Sequence, residues 1–383
     1  MLKQSCVLVV AAFVLSLTIG CQTPPTGPST DGIIGAPASG ALVGSSDIQR
    51  LGYRVRWAAA PIGASRTLAQ VAWLDNVIVF VDSPSNLVAG MSAENGNVIW
   101  QNARMSRADL FQRPSLYDGK VILNSETKLY VMNPGTGQID KITPLAASVN
   151  SQPAFHRGYA IFGGLNGRVF GIDLKQGFDS WQYQMAEGIV ASPVLVNQTV
   201  FVGDISGVYS LIDVDPVSDT FGRALTRKTT YDRITTPPAV SDEGIFLACE
   251  DQKIYCIDRN TGVPLWDYNI PAPAKSTPFV IRDRLVVNVP GYGLWCIDAG
   301  PAALDRPDRL LWQAKDVTDA HVLFAEDDRI LVQDKGRLLT MDIETGRILM
   351  EIQTAQLEPI IVDEARSLLL YTASGRMLRL NRR

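Results

Sequence analysis

Histidine is nearly missing from this chain: two residues in 383, His156 and His321. Neither has a partner at metal-ligand spacing, so both read as surface or channel-wall residues. Cysteine is almost as scarce, with five in all and no CxxC or adjacent pair. GxSxG, HExxH and P-loop patterns are absent as well, which removes the commonest hydrolase, metalloprotease and nucleotide-binding constellations. Lys and Arg number 35 against 39 Asp and Glu, a net charge of −4, and no basic block stands out. Nucleic acid is disfavoured as a partner, because affinity there rests on neutralising phosphates. Long amphipathic helical stretches are missing too. What is left is a chain 46% apolar, the fraction of a packed globular protein, and it reads as all-β.

One phrase recurs. CIDRNTGVPLW (256–266) is a strand end, a polar turn and a new strand closing on tryptophan. Asp and Asn side chains bond their own backbone in such turns, and Gly accepts positive φ. Worn copies are MSAENGNVIW (91–100), MNPGTGQIDK (132–141), IDLKQGFDSW (172–181) and MDIETGRILM (341–350). Gly96, Gly137, Gly177, Gly262 and Gly346 each stand four places after the strand end. The strand-ending residues Ser92, Asn133, Asp173, Asp213, Asp258, Asp298, Asp342 and Asn381 are spaced by 41, 40, 40, 45, 40, 44 and 39. A period near forty built of short strands means a propeller.

Two further strand-like runs precede the phrase in each repeat, as in SQPAFHRGYAIFGGLNGRVFGID (151–173). Eight repeats of four strands predict an eight-bladed ring over 51–383. The last repeat stops short of its fourth strand, and YRVRW (53–57) has no repeat of its own. It is expected to supply the missing strand and close the ring, which removes free sheet edges.

Trp57, Trp100, Trp181, Trp266 and Trp312 share one repeat position and are expected to wedge between blades, each able to bury about 150–250 Å². Trp73 and Trp295 fall elsewhere. Cys256 and Cys296 share another position, where the other copies place Met91, Met132, Gly171, Leu211 and Thr340. Cys249 and Cys256, on facing strands, are expected on one face but diagonal, a poor disulfide geometry; buried free thiols are expected. DVDPVSD (213–219) gathers three carboxylates and reads as a solvated turn without the Gly and Glu of a calcium loop. The two longer turns, 214–223 and 299–309, interrupt the period, and Asp215, Asp219, Asp305 and Arg306 within them are candidate interaction residues.

Residues 1–20 carry Lys3, an apolar core and small residues before Cys21, the pattern of a secretory signal. LTIGC resembles a lipobox, with Cys21 as the lipidated residue. Residues 21–50, rich in Pro, Gly, Ser and Thr, read as a flexible tether. Gln at 22, rather than Asp, favours the outer membrane by resemblance to bacterial lipoproteins.

The Asp, Thr-Gly and final Trp of CIDRNTGVPLW resemble the repeat of pyrroloquinoline-quinone-type propellers. Dehydrogenases of that superfamily hold the quinone beside calcium with Glu, Asn and Asp ligands and carry a vicinal disulfide; neither a ligand set nor a vicinal pair stands in this sequence. The leader, ring size and length resemble instead the propeller lipoproteins of the outer-membrane β-barrel assembly machinery. That resemblance implies a monomeric scaffold without cofactor, held to the membrane by lipid. It would dock envelope proteins, in that family the periplasmic domains of a barrel-forming subunit. The alternatives are a quinoprotein or small-ligand binder using the central funnel, and an envelope module with another client.

Overall fold

A computed structural model describes residues 41–63, 65–103, 105–300 and 308–383. Cys21, Asp305, Arg306 and the leader lie outside these residues. The strands form eight four-stranded antiparallel sheets, as the period predicts. Blade 1 runs Thr67–Leu74, Val77–Ser83, Val88–Ser92 and Val98–Asn102. Six blades repeat this order, ending with Ile348–Gln353. Blade 8 takes three strands from Ile361–Val362, Leu368–Tyr371 and Met377–Arg382, and its outermost from Tyr53–Ala59 at the other end of the chain. The closing register runs from Tyr53 opposite Arg382 to Ala59 opposite Met377. First strands of neighbouring blades touch, as Ala154–His156 touches Val194–Val196, which places them around the axis.

The middle strands are apolar on both faces because each sheet is covered by a neighbour on either side. Ile245–Cys249 is buried at every position. Eight apolar clusters result, one at each seam: Val79, Val81 and Trp100 meet Val121, Leu123 and Met132 between blades 1 and 2, for example. The cluster joining blades 8 and 1 holds Trp57, Phe80, Met91, Leu369 and Met377, so the two ends of the chain share one core. Phe80, Phe162, Phe170, Phe201 and Phe246 are fully buried, each stabilising by about 1.5–3 kcal/mol.

The tether expected over 21–50 ends earlier than 50. Leu42, Val43 and Ile48 are buried in the seam between blades 7 and 8. Val43 bridges to Thr354, the Ala355 amide donates to the Leu42 carbonyl at 2.9 Å, and Ser45–Arg50 is helical. Three apolar side chains among the Gly and Ser of this stretch are enough to dock it. No helix among the described residues is long and apolar enough to cross a membrane.

Every outer strand carries a β-bulge. The register slips between Gly90 and Met91 opposite Trp100 and Val98, leaving Ile99 unpaired. The same slip leaves Leu265 and Leu311 unpaired, one place before Trp266 and Trp312, and Arg56 before Trp57. Bulges increase local twist and spoil the edge for pairing with another chain.

This register corrects two expectations. The position of Cys256 and Cys296, opposite the wedge, is held in blades 1 and 2 by Gly90 and Val131 rather than Met91 and Met132, which stand one place nearer the strand end. Cys249 pairs with Lys253 and Phe246 with Cys256, so the two thiols point to opposite faces and into different seams. The hairpin turn is three residues, Glu250 to Gln252, which changes the parity.

Candidate functional site

The repeated turn explains itself atom by atom. Asp258 Oδ1 accepts from the amides of Asn260 at 3.0 Å and Thr261 at 2.7 Å, and from the Thr261 hydroxyl at 2.8 Å. The Gly262 amide closes on the Asp258 carbonyl at 2.8 Å with φ +67°. Asp342 with Thr345 and Gly346 repeats the arrangement. Bonds from the Thr261 amide and hydroxyl hold the Asp258 carboxyl below the ordinary carboxylate range.

Each turn receives the wedge of the preceding blade. Trp57 Nε1 donates to the Ala93 carbonyl at 2.8 Å, Trp100 to Pro134 at 2.7 Å and Trp312 to Ile343 at 2.7 Å. In each case the acceptor follows the strand-ending residue, and the indole lies on that turn's Gly: a methyl on Gly96, Gly137 or Gly346 would meet the Trp57, Trp100 or Trp312 ring within 2.8 Å. Two blades without tryptophan keep the contact with other chemistry, which the aromatic pattern does not reveal. Lys141 Nζ donates to the Leu174 and Lys175 carbonyls at 3.1 and 2.6 Å. Thr226 Oγ1 donates to Thr261 at 2.5 Å. Gly177 and Gly262 accordingly meet Lys141 and Thr226 rather than a ring.

Trp181 and Trp266 differ from the other three: they are half-buried, and neither indole nitrogen has a hydrogen-bond partner among the described residues. These two face the longer turns, with Gly222 against Trp181 and Arg309 over Trp266. Other groups cover the rings. Phe221 lies edge-on to Trp181 with centroids 5.9 Å apart, and the Arg309 guanidinium sits 4.1 Å over Trp266.

The longer turn at 214–223 is therefore bound into a seam. Asp213 and Asp215 are each 5% exposed, which overturns the reading of DVDPVSD as solvated. Asp213 Oδ2 accepts from the Ser218 and Thr220 hydroxyls at 2.5 Å each, and Oδ1 from the Asp215 amide at 2.9 Å. Asp215 pairs with Arg157 of blade 3 at 3.0 Å. The carboxylates close on local donors because the turn folds back over them. The tip stays exposed, with Val217 at 78% and Asp219 beside it, as does Arg223 at the end of the turn. Structure thus separates Asp219 from Asp215, which sequence spacing had grouped.

His156 ends the first strand of blade 3, where burial and Arg157 lower its pKa. His321 is exposed on an innermost strand and, with Lys275, Thr277 and Asn288, lines a cavity of about 580 Å³ among blades 5–7. Among the described residues no three His, Cys, Asp or Glu converge as metal ligands. The three described cysteines are buried free thiols; burial raises Cys249 to about 11 and Cys296 to about 12. Trp73 packs into the closing seam beneath Arg379, whose guanidinium lies 4.6 Å over the ring. Trp295 packs between blades 5 and 6.

This architecture has known counterparts. A family described as outer membrane protein assembly factor BamB matches residues 31–220 and 211–303. BamB of Yersinia pestis is 26% identical over 241 residues, which are 57% of this chain and 58% of that protein. BamB of Shewanella oneidensis is 24% identical over 69% of this chain and 68% of its own length. The crystal structure of BamB from Moraxella catarrhalis superposes with TM-score 0.65 at 18% identity, covering 82% of this chain and 93% of that one. The computationally designed Ika8 protein superposes with TM-score 0.67 at 13% identity, covering 85% and 99%. The match over residues 31–303, carried by the propeller repeats described above, places this chain in the BamB family of outer membrane protein assembly factors.

Proposed function

We propose that this protein is a non-enzymatic scaffold of the bacterial cell envelope that supports assembly of outer-membrane β-barrel proteins. The family match across most of the propeller carries the reading. The ring suits it: a rigid closed body presents short turns on two faces, and loops carry binding. In this reading Cys21 bears the lipid, residues 22–41 tether the ring to the outer membrane from the periplasmic side, and the propeller docks the periplasmic domains of a barrel-forming subunit. No cofactor takes part. Deleting the gene in its host tests the reading by quantitative proteomics of the outer membrane. The expected result is lower β-barrel protein levels, restored by the wild-type chain. Unchanged levels would contradict it.

A further inference from the structure

Two troughs adjoin on the face formed by the first and third turns of each blade. One, of about 560 Å³, lies over blades 8 and 1; the other, of about 280 Å³, lies between blades 1 and 2. They share Leu74, Asp75, Asn76 and Leu116, so together they make one continuous depression. Its apolar surface comes from Leu116, 37% exposed, Ile99, 48% exposed, and Val362. Ile99 is the bulge residue of blade 1, turned out of the ladder beside the Trp100 wedge.

The charge of this depression is mostly negative. Asp75, Glu94, Asp363 and Glu364 line it, against Arg379. The guanidinium of Arg379 is already committed: it lies on Trp73, donates to the Ala93 carbonyl and stands 3.9 Å from Asp363. Glu94 pairs with Arg56. Asp75 and Glu364 are exposed and form no ion pair among the described residues. Two other depressions lack this pattern. The one between blades 7 and 8 mixes Arg50, Arg329 and Arg382 with Glu326, Asp327 and Asp328, and the funnel cavity carries Lys275 and His321.

We propose that this acidic, aliphatic trough over blades 8, 1 and 2 docks an extended segment of a partner protein in which Lys or Arg alternates with aliphatic side chains. The proposal rests on the scaffold reading and adds to it a surface and the chemistry of its occupant. The aliphatic side chains enter the lobes floored by Leu74, Leu116 and Ile99. The cations meet Asp75 and Glu364, where charge complementarity sets register and association rate. Two lobes divided by the Asp75–Asn76 turn accommodate alternate side chains of a strand-like segment rather than the broad face of a helix.

The test uses the full-length protein in non-ionic detergent and a fluorescent twelve-residue peptide alternating Lys with Val. Its twin carries Glu in place of Lys, and fluorescence anisotropy reads binding. The Lys peptide is expected to bind at least about tenfold more tightly than the Glu twin. Asp75→Asn with Glu364→Gln should weaken it about fivefold or more and reduce its salt dependence. Asn suits position 75, whose φ is +56°. Leu116→Glu, at an exposed site, should abolish binding without loss of fold by circular dichroism. Glu187→Gln, in the blade connection on the opposite face, should change nothing. Equal binding of the twins, indifference to the trough substitutions, or an equal loss with Glu187→Gln would overturn the proposal. Because the probe needs no envelope partner, its failure counts against the trough and leaves the gene-deletion test of the scaffold reading standing.

Discussion

Gly119 and Gly137 stand in the same blade with the same φ of +67°, yet alanine should behave differently at the two. Both substitutions carry the left-handed penalty of about 1–2 kcal/mol. At Gly119 a methyl meets nothing within 4 Å; at Gly137 it would lie 2.2 Å from Cε3 of Trp100. The ring cannot stay. It is 7% exposed and bonded to the Pro134 carbonyl at 2.7 Å. Losing a buried Trp outright costs about 3–5 kcal/mol, so displacing it should add about 2–3 kcal/mol to the backbone penalty. We therefore expect about 1–2 kcal/mol for Gly119→Ala and about 3–5 kcal/mol for Gly137→Ala, read from urea midpoints at constant m. In a Trp100→Ala background the further loss from Gly137→Ala should shrink to that of Gly119→Ala, a coupling expected of residues in contact. Equal losses at the two glycines, or additive losses in the double variant, would refute the wedge-on-turn account.

Removing residues 51–58 should open the ring, because Tyr53–Ala59 completes blade 8; a melting transition as sharp and as high as wild type would contradict closure. Acid should destabilise the fold through the turn carboxylates. Burial raises the pKa of Asp213, but bonds from Ser218, Thr220 and the Asp215 amide outweigh it and hold the folded value low. A depressed folded pKa stabilises above the unfolded value of about 4 and is lost as pH falls through the folded value. The urea midpoint should therefore drop between pH 5 and pH 3, and less steeply in Asp213→Asn; an unchanged slope would count against these bonds. Cys249, Cys256 and Cys296, with thiols raised to about 11, 12 and 12, should resist iodoacetamide at pH 8 until urea unfolds the ring. Site-mapped labelling of the native protein would contradict their burial.

The ring was legible because its signal repeats. One Asn-Thr-Gly turn is a weak hint, but eight strand ends about forty residues apart leave few architectures, and an orphan YRVRW beside an incomplete last repeat points to closure. Local parity was harder to read. Whether the turn after Cys249 held two residues or three decided which face Cys256 occupies, and no residue in Glu250-Asp251-Gln252 settles that count. The bulges were hidden for a similar reason: an extra residue such as Ile99 looks like any other in an apolar run. Lys141 and Thr226 were overlooked as wedges because what the position requires is a donor to the next turn, which an aromatic search does not test. DVDPVSD looked solvated because spacing alone does not show the turn folding back to bring the Ser218 and Thr220 hydroxyls onto Asp213. The trough over blades 8, 1 and 2 joins residues from 73 to 379 and could not be read from spacing at all.

The most direct test of the scaffold account is in-cell crosslinking of the full-length protein in its native envelope, with the captured partners identified by mass spectrometry. The account predicts recovery of a barrel-forming assembly protein through its periplasmic domains. Recovery of cytochromes, or of no protein partner, would contradict it.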